Sequence, residues 1–218
     1  MRPTEDTYRH KGLRKKLVDT IKSKGITDEK VLHAIERIPR HFFLDSAFDE
    51  VAYEDKAFPI AEKQTISQPY TVAYQTQLLE VKSFDKVLEI GTGSAYQACV
   101  LADMGAQVYT IERQKKLFDS NKNFPFLRKY PNIKFFYGDG YEGLPTFAPF
   151  DKVLITAAAP DVPKKLVEQM KTGAMMVIPL GTGDVQVMKR YIKQLDGSLK
   201  EEVYDRFSFV PMLSGKKE

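Results

Sequence analysis

The residues with the clearest chemical purpose stand in one run, Val87-Leu88-Glu89-Ile90-Gly91-Thr92-Gly93-Ser94-Ala95-Tyr96, where an apolar stretch meets a glycine turn and then a helical pattern. Glycines let the backbone pass close to a ligand, and the start of a helix offers N–H groups with no partner inside the helix. A dinucleotide fingerprint places a third glycine at position 96, and Tyr96 stands there, which disfavours a nicotinamide dinucleotide. Glu112 ends the next apolar run, near the offset of about 20 residues at which an acidic side chain accepts hydrogen bonds from ribose hydroxyls. Gly138-Asp139-Gly140 follows the third run and puts another carboxylate where it could hold an adenine amino group. Each feature alone also suits a structural turn or a solvated helix-start charge. Their order on successive strands favours a nucleoside site.

A second set of capable residues lies upstream in Gln64-Thr65-Ile66-Ser67-Gln68-Pro69-Tyr70, ahead of a helical run from Thr71 to Leu79. Proline is favoured at the first helical position, so Ser67 or Gln68 sits at the cap. One reading makes Ser67 a plain N-cap. In the other, the same geometry aims its hydroxyl, with the uncommitted N–H groups of Tyr70 and Thr71, toward an anion, and a carboxylate substrate suits that site. No catalytic triad or metal cluster is apparent. His10, His33 and His41 are the only histidines and none has metal-ligand spacing, so surface or packing roles are expected and no metal is assigned. The single cysteine, Cys99, lies among small apolar residues and is expected to be a buried structural thiol in a reducing compartment.

The elements that must position these groups follow from periodicity. From Thr7 to Ile38, Leu13, Leu17, Val18 and Ile21, then Val31, Leu32, Ile35 and Ile38, recur at helical spacing and predict two short helices. Gly25 stops the first, Thr27 or Asp28 caps the second, and Ile38-Pro39 closes it. Arg40 to Gln68 has no clear period and is expected to lie over the active site. After Leu79 short apolar runs alternate with helical segments. The runs are 86–90, 107–111, 133–137, 152–155 and 174–178, and the crossover helices are Ala95 to Met104, Gln114 to Tyr130 and Pro163 to Met170. This predicts an α/β fold with a doubly wound, mostly parallel sheet. Beyond Gly181-Thr182-Gly183-Asp184, the segment Val185 to Ile192, the turn at Asp196-Gly197 and the run Phe207-Ser208-Phe209-Val210 read as a late antiparallel hairpin.

The whole chain sets the outer bounds. With 218 residues, one domain is expected over 1–218: N-terminal helices and an active-site segment over 1–80, a βα core over 81–180, and antiparallel strands and tail over 181–218. A hydrophobic fraction of 43% supplies a sizeable core. Met1 to Lys16 is polar, with no apolar stretch of signal-peptide length, and no later run could span a bilayer; a cytoplasmic protein without membrane partners is expected. The net charge of +4 is mild and its basic residues are dispersed apart from Lys11 to Lys16 and Lys216-Lys217, which read as solvated surface, and no basic stripe with interleaved aromatics marks a nucleic-acid partner. A monomer is expected because no long exposed apolar pattern demands a partner.

Taken together, Gln64 to Tyr70, Glu89-Ile90-Gly91-Thr92-Gly93-Ser94, Gly138-Asp139-Gly140, Ala157-Ala158-Ala159-Pro160 with Lys171 to Leu180, and Phe209-Val210-Pro211 resemble, in order, the motifs of the protein-L-isoaspartate O-methyltransferases. The resemblance extends from about Thr7 to Met212. It implies a Rossmann-like methyltransferase fold, S-adenosyl-L-methionine as cofactor with S-adenosyl-L-homocysteine as product, and isoaspartyl-containing proteins and peptides as substrates, methylated on the α-carboxylate. It further implies that Ser67 contacts the substrate carboxylate, and that Thr65, Ile66, Glu89, Gly91, Gly93, Ser94, Glu112, Asp139 and Gly140 surround the cofactor. The segments Ala157 to Pro160 and Pro179 to Gly183 are expected to offer backbone partners to an extended peptide. Two positions depart from the family pattern: Ala95 replaces a frequent glycine, and Glu89 stands where aspartate is more usual. A methyltransferase of exocyclic amines is disfavoured, because its [DN]PP[YF] signature is replaced by Ala157-Ala158-Ala159-Pro160.

Overall fold

The structure, a computed structural model, describes residue 3 and residues 5–218. Of the polar stretch from Met1 to Lys16, positions 1, 2 and 4 lie outside the described residues. The helical spacing at the N-terminus becomes α1 (Tyr8–Ser23) and α2 (Glu29–Arg37). Asp28, rather than Thr27, caps α2, its Oδ1 accepting the Lys30 and Val31 N–H groups at 2.9 and 3.4 Å. Gly25 takes φ +101° in the turn between the helices, a conformation in which a side chain would be strained. Ile38 turns extended before Pro39 and ends α2.

A small antiparallel pair, β1 (Phe58–Pro59) and β2 (Thr65–Ile66), leads into α3 (Pro69–Leu79). The main sheet then forms from β3 (Lys86–Ile90), β4 (Gln107–Glu112), β5 (Ile133–Tyr137), β6 (Phe150–Ile155), β7 (Met170–Leu180), β8 (Gln186–Lys193) and β9 (Leu199–Phe207). Their order across the sheet is β5-β4-β3-β6-β7-β8-β9. The first five are parallel, joined by α4 (Tyr96–Asp103), α5 (Lys115–Lys122) and α6 (Lys164–Glu168), while β8 and β9 run antiparallel. The chain leaves β3 toward β4 and β5, then returns to lay β6 against the other side of β3. That reversal opens a crevice at the carboxyl ends of the strands, where ligands of open α/β sheets bind.

Side chains alternate across the sheet and supply two cores. Val87, Val108, Leu154 and Val177 face the layer built from α1, α2, α3 and α4, whereas Leu88, Ile90, Tyr109, Ile111, Val153 and Ile155 face the layer that contains Leu166 and Met212. Burial on both faces explains why these strands read as continuous apolar runs. Cys99 is buried in the first core, as its neighbours predict.

Three expectations are corrected. The helical segment from Gln114 to Tyr130 is broken at Phe124-Pro125, because proline cannot continue the hydrogen-bonding ladder of α5; a 3₁₀ turn, Pro125–Lys129, follows. The last strand is Leu199–Phe207, not the apolar run Phe207 to Val210. It lies at the sheet edge, where charged residues are tolerated and one face meets water, so its sequence Leu-Lys-Glu-Glu-Val-Tyr-Asp-Arg-Phe hides it from a search for apolar runs. Finally, only the later part of the segment 40–68 reaches the crevice; Arg40, His41, Phe42 and Phe43 are buried against the N-terminal helices and α4.

Candidate active site

The carboxyl ends of β3, β4, β5 and β6 open into a cavity of about 820 Å³, within the range of small-molecule sites. Its floor is the turn after β3. Thr156, just past β6, pins that turn by donating its hydroxyl to the carbonyls of Ile90 and Gly91 at 2.9 and 2.8 Å. Only glycine fits at position 91: its φ is +94°, and a Cβ there would lie 2.7 Å from Thr156 Oγ1. Gly140 is required for a different reason, since a Cβ would stand 2.5 Å from Ile90 Cγ2. Ala95 sits at φ +71°, a left-handed conformation disfavoured for alanine.

Glu112 closes the adjoining wall. Its Oε2 accepts the Gly93 N–H at 2.9 Å and its Oε1 the Gln114 N–H at 2.8 Å, so the carboxylate ties the end of β4 to the glycine turn. Burial pushes its pKa upward, and the surrounding backbone N–H groups pull in the opposite direction. Glu89 lies one layer beneath and does not line the cavity. It is 0% exposed and, among the described residues, neither carboxylate oxygen has a partner in full hydrogen-bond geometry; burial raises its pKa to about 8, the polar Thr110 hydroxyl nearby opposing the shift and the Glu112 charge adding to it.

Of the other residues singled out in the sequence, Thr65, Ile66, Ser67, Gly91, Gly93, Ser94 and Gly140 line the cavity. Asp139 does not. Its Oδ1 accepts the Tyr141 N–H at 2.9 Å and its Oδ2 the Gly215 N–H at 2.6 Å, so the C-terminal tail occupies the carboxylate expected to face adenine. That tail crosses the strand ends: Met212 N–H donates to Ala158 O, Arg113 holds Gly215 O, and Lys217 pairs with Arg113 and Lys115 through backbone bonds. Pro211, Met212 and Leu213 consequently become cavity wall, a role that no spacing in the sequence announces. Part of the backbone of Ala157 to Pro160 and Pro179 to Gly183, expected to face a peptide, is engaged within the chain. Ala158 and Ala159 N–H groups are spent on Val210 O and Pro179 O, and Gly181 N–H on Ala159 O, so these three N–H groups are not available to a peptide.

The reading of Ser67 needs revision too. Gln68 is the N-cap residue of α3 and makes no side-chain cap bond. The Tyr70 N–H is not free, because Asp55 Oδ1 accepts it at 2.8 Å. Among the described residues Ser67 Oγ has no hydrogen-bond partner, and Ser67 lines the cavity. Lys24, Tyr70, Arg206 and Phe207 surround this end.

His10 and His41 come together with Asp6, their candidate ligand atoms lying within 4.8 Å of one another. The ring nitrogens are already engaged: His10 with Thr7 and Asp49, His41 with Tyr53 Oη and Glu5 O. The two rings stack at 3.9 Å, so the cluster packs α1 against the following segment. His33 is exposed.

A parallel five-stranded core extended by two antiparallel strands, with its cavity beside the turn after the first core strand, places the chain in the class of Rossmann-like, S-adenosylmethionine-dependent methyltransferases. Residues 12–217 match the family model described as protein-L-isoaspartate(D-aspartate) O-methyltransferase. A protein-L-isoaspartate O-methyltransferase of Christiangramia forsetii is 54% identical over 212 residues, covering 97% of this chain and 99% of that one. A solved protein-L-isoaspartate O-methyltransferase superposes with a TM-score of 0.82 at 28% identity, covering 91% of this chain and 65% of that one. A Plasmodium falciparum structure, described as a protein-L-isoaspartate O-methyltransferase in complex with S-adenosyl-L-homocysteine, shares the fold with a TM-score of 0.78 at 23% identity, covering 92% of this chain and 98% of that one. The chain belongs to the protein-L-isoaspartate(D-aspartate) O-methyltransferase family. No helix among the described residues is long and apolar enough to cross a membrane.

Proposed function

We propose that this chain is a protein repair enzyme that transfers a methyl group from S-adenosyl-L-methionine to the α-carboxylate of L-isoaspartyl residues in damaged proteins and peptides. The observation that carries this reading is the position of Ser67, which lines the same cavity as the glycine turn and Glu112 and whose hydroxyl has no partner among the described residues. An acceptor and a nucleoside can therefore meet there. The cavity residues fit the cofactor: Glu112 offers carboxylate oxygens beside the turn, and Ile90, Ile111 and Met212 give apolar surface for a base. Bound there, the cofactor supplies a methyl group on a positively charged sulfur, which makes that carbon an electrophile.

The protein's part is then positioning. A carboxylate with a pKa near 4 is already ionised at neutral pH, so no general base has to create the nucleophile. Ser67 orients it with one hydrogen bond. Ile66, Phe207 and Phe209 line the same space and exclude water from the reacting groups. Thr65, Ile66, Gly91, Gly93, Ser94, Glu112 and Gly140 hold the cofactor at the cavity wall. Glu89 supports the turn from below, and Asp139 sits behind the C-terminal tail. The reaction uses no metal, and the chain works as one cytoplasmic, monomeric domain without nucleic-acid or membrane partners.

The test is transfer of a labelled methyl group to an isoaspartyl peptide, beside the same peptide with normal aspartate and an RNA control. Base-labile label on the isoaspartyl peptide alone is expected. Cofactor binding without transfer to that peptide would overturn the assignment.

A further inference from the structure

A helix N-terminus attracts an anion, and the sequence alone offers the start of α3 to the substrate carboxylate. In the folded chain one of the N–H groups at that place, that of Tyr70, is taken from within. Asp55, its side chain 8% exposed, accepts the Tyr70 N–H at 2.8 Å through Oδ1 and the Gln68 Nε2 at 3.0 Å through Oδ2. The same Oδ2 meets Lys24 Nζ at 2.5 Å, and Lys24 lines the cavity. The turn that carries Asp55 is itself anchored by a fully buried arginine: Arg40 donates to the carbonyls of Ala52 and Lys56 at 3.1 and 3.2 Å.

Resting on the carboxylate-acceptor reading above, we propose that Asp55 is the positioning residue of the acceptor site. It occupies the electropositive end of α3 and neutralises Lys24, so that the substrate carboxylate is kept from both and meets the Ser67 hydroxyl. The chemistry explains why this matters. Methylation turns a charged carboxylate into a neutral ester, so its charge falls on the way to the transition state. A lysine or a helix end paired directly with the acceptor would stabilise the ground state more than the transition state, giving tighter binding and slower turnover. A hydroxyl orients the nucleophile with far less of that penalty.

Asp55→Asn keeps an oxygen for the Tyr70 N–H but removes the charge, leaving Lys24 without its counter-ion and the positive end of α3 without an anion. Both KM for an isoaspartyl peptide and kcat should then fall, by about three- to tenfold each, the scale of a helix-end interaction. Lys24→Met, at a half-exposed side chain, should do the opposite to binding. With Asp55 no longer neutralised, KM should rise about threefold while kcat holds. A residue that only stabilises the fold would lower the melting temperature and shift KM the same way in both variants. The experiment is steady-state methylation of one isoaspartyl peptide by the wild type, the two single variants and the double variant, with melting curves for each. Opposite KM shifts, and a double variant near the wild type, are the expected result. If the wild type turns over and Asp55→Asn leaves KM unchanged or raises it, this proposal is overturned and the functional reading stands. Absence of transfer by the wild type overturns both.

Discussion

The Gly93 N–H donates to Glu112 Oε2 at 2.9 Å, which makes the turn after β3 and the end of β4 one mechanical unit. The second carboxylate oxygen is committed to Gln114 N–H, so both oxygens serve the backbone as well as any ribose. Glu112→Gln replaces one acceptor with an amide that cannot accept, leaving one of the two backbone N–H groups unsatisfied in a site that is 5% exposed. The cost is about 1–3 kcal/mol of stability. The dissociation constant for S-adenosyl-L-homocysteine should rise at least about tenfold, because that cost distorts the turn the ligand must meet. Calorimetric titration of variant and wild type measures it, and an unchanged affinity would remove Glu112 from the cofactor wall.

Glu89 makes stability depend on pH. Its carboxyl is raised by burial from 4.5 to about 8, so between those values the folded chain holds a proton that the unfolded chain has released. The contribution is fully present below about pH 4.5 and is lost as pH rises through 8, with a slope of at most roughly 1.4 kcal/mol per pH unit. Glu89→Gln has no such proton to lose. Its melting temperature relative to the wild type should climb from pH 5 to pH 8 and level off above. A difference that stays flat across that range would show that the buried carboxyl does not titrate there.

How much of this was legible in the sequence follows the kind of interaction involved. Strands buried on both faces, such as Val153 to Ile155 and Met176 to Ile178, announce themselves because their environment permits only apolar residues. So do glycines that a Cβ would obstruct, Gly91 and Gly140. Edge strand β9 is silent because water accepts its charges, and the break after α5 required weighing Pro125 against a helical period. Asp55 is harder still. It caps α3 from a different segment, and nothing in Gln64 to Tyr70 records that an acceptor arrives from elsewhere. The tail is similar, since Met212 and Gly215 reach the strand ends through tertiary contacts that leave no local pattern.

Ala95 carries a cost that can be weighed. Its φ of +71° penalises alanine by about 1–2 kcal/mol relative to glycine. Its methyl group is fully buried, and losing it costs about 0.8 kcal/mol. Conformational relief is the larger of the two, so Ala95→Gly should stabilise the chain by up to about 1 kcal/mol, read as a higher denaturation midpoint in urea with an unchanged slope. A lower midpoint would mean that packing of the methyl group outweighs the backbone strain.

Ser67 separates the two roles that its sequence position allows. A capping serine replaced by alanine costs about 1 kcal/mol of stability. The structure gives Ser67 Oγ no partner among the described residues and supplies the α3 cap from Asp55, so Ser67→Ala should leave the melting temperature and cofactor affinity unchanged. What it removes is a hydrogen bond to a charged acceptor, which is made only once substrate is bound. Such bonds contribute about 1.5–3 kcal/mol, so kcat/KM for an isoaspartyl peptide should fall at least about tenfold. Threonine at the same position restores a hydroxyl and should recover part of the loss. If alanine instead lowers the melting temperature and leaves kcat/KM alone, Ser67 belongs to the framework of α3 and the acceptor must be oriented by another group at that end of the cavity.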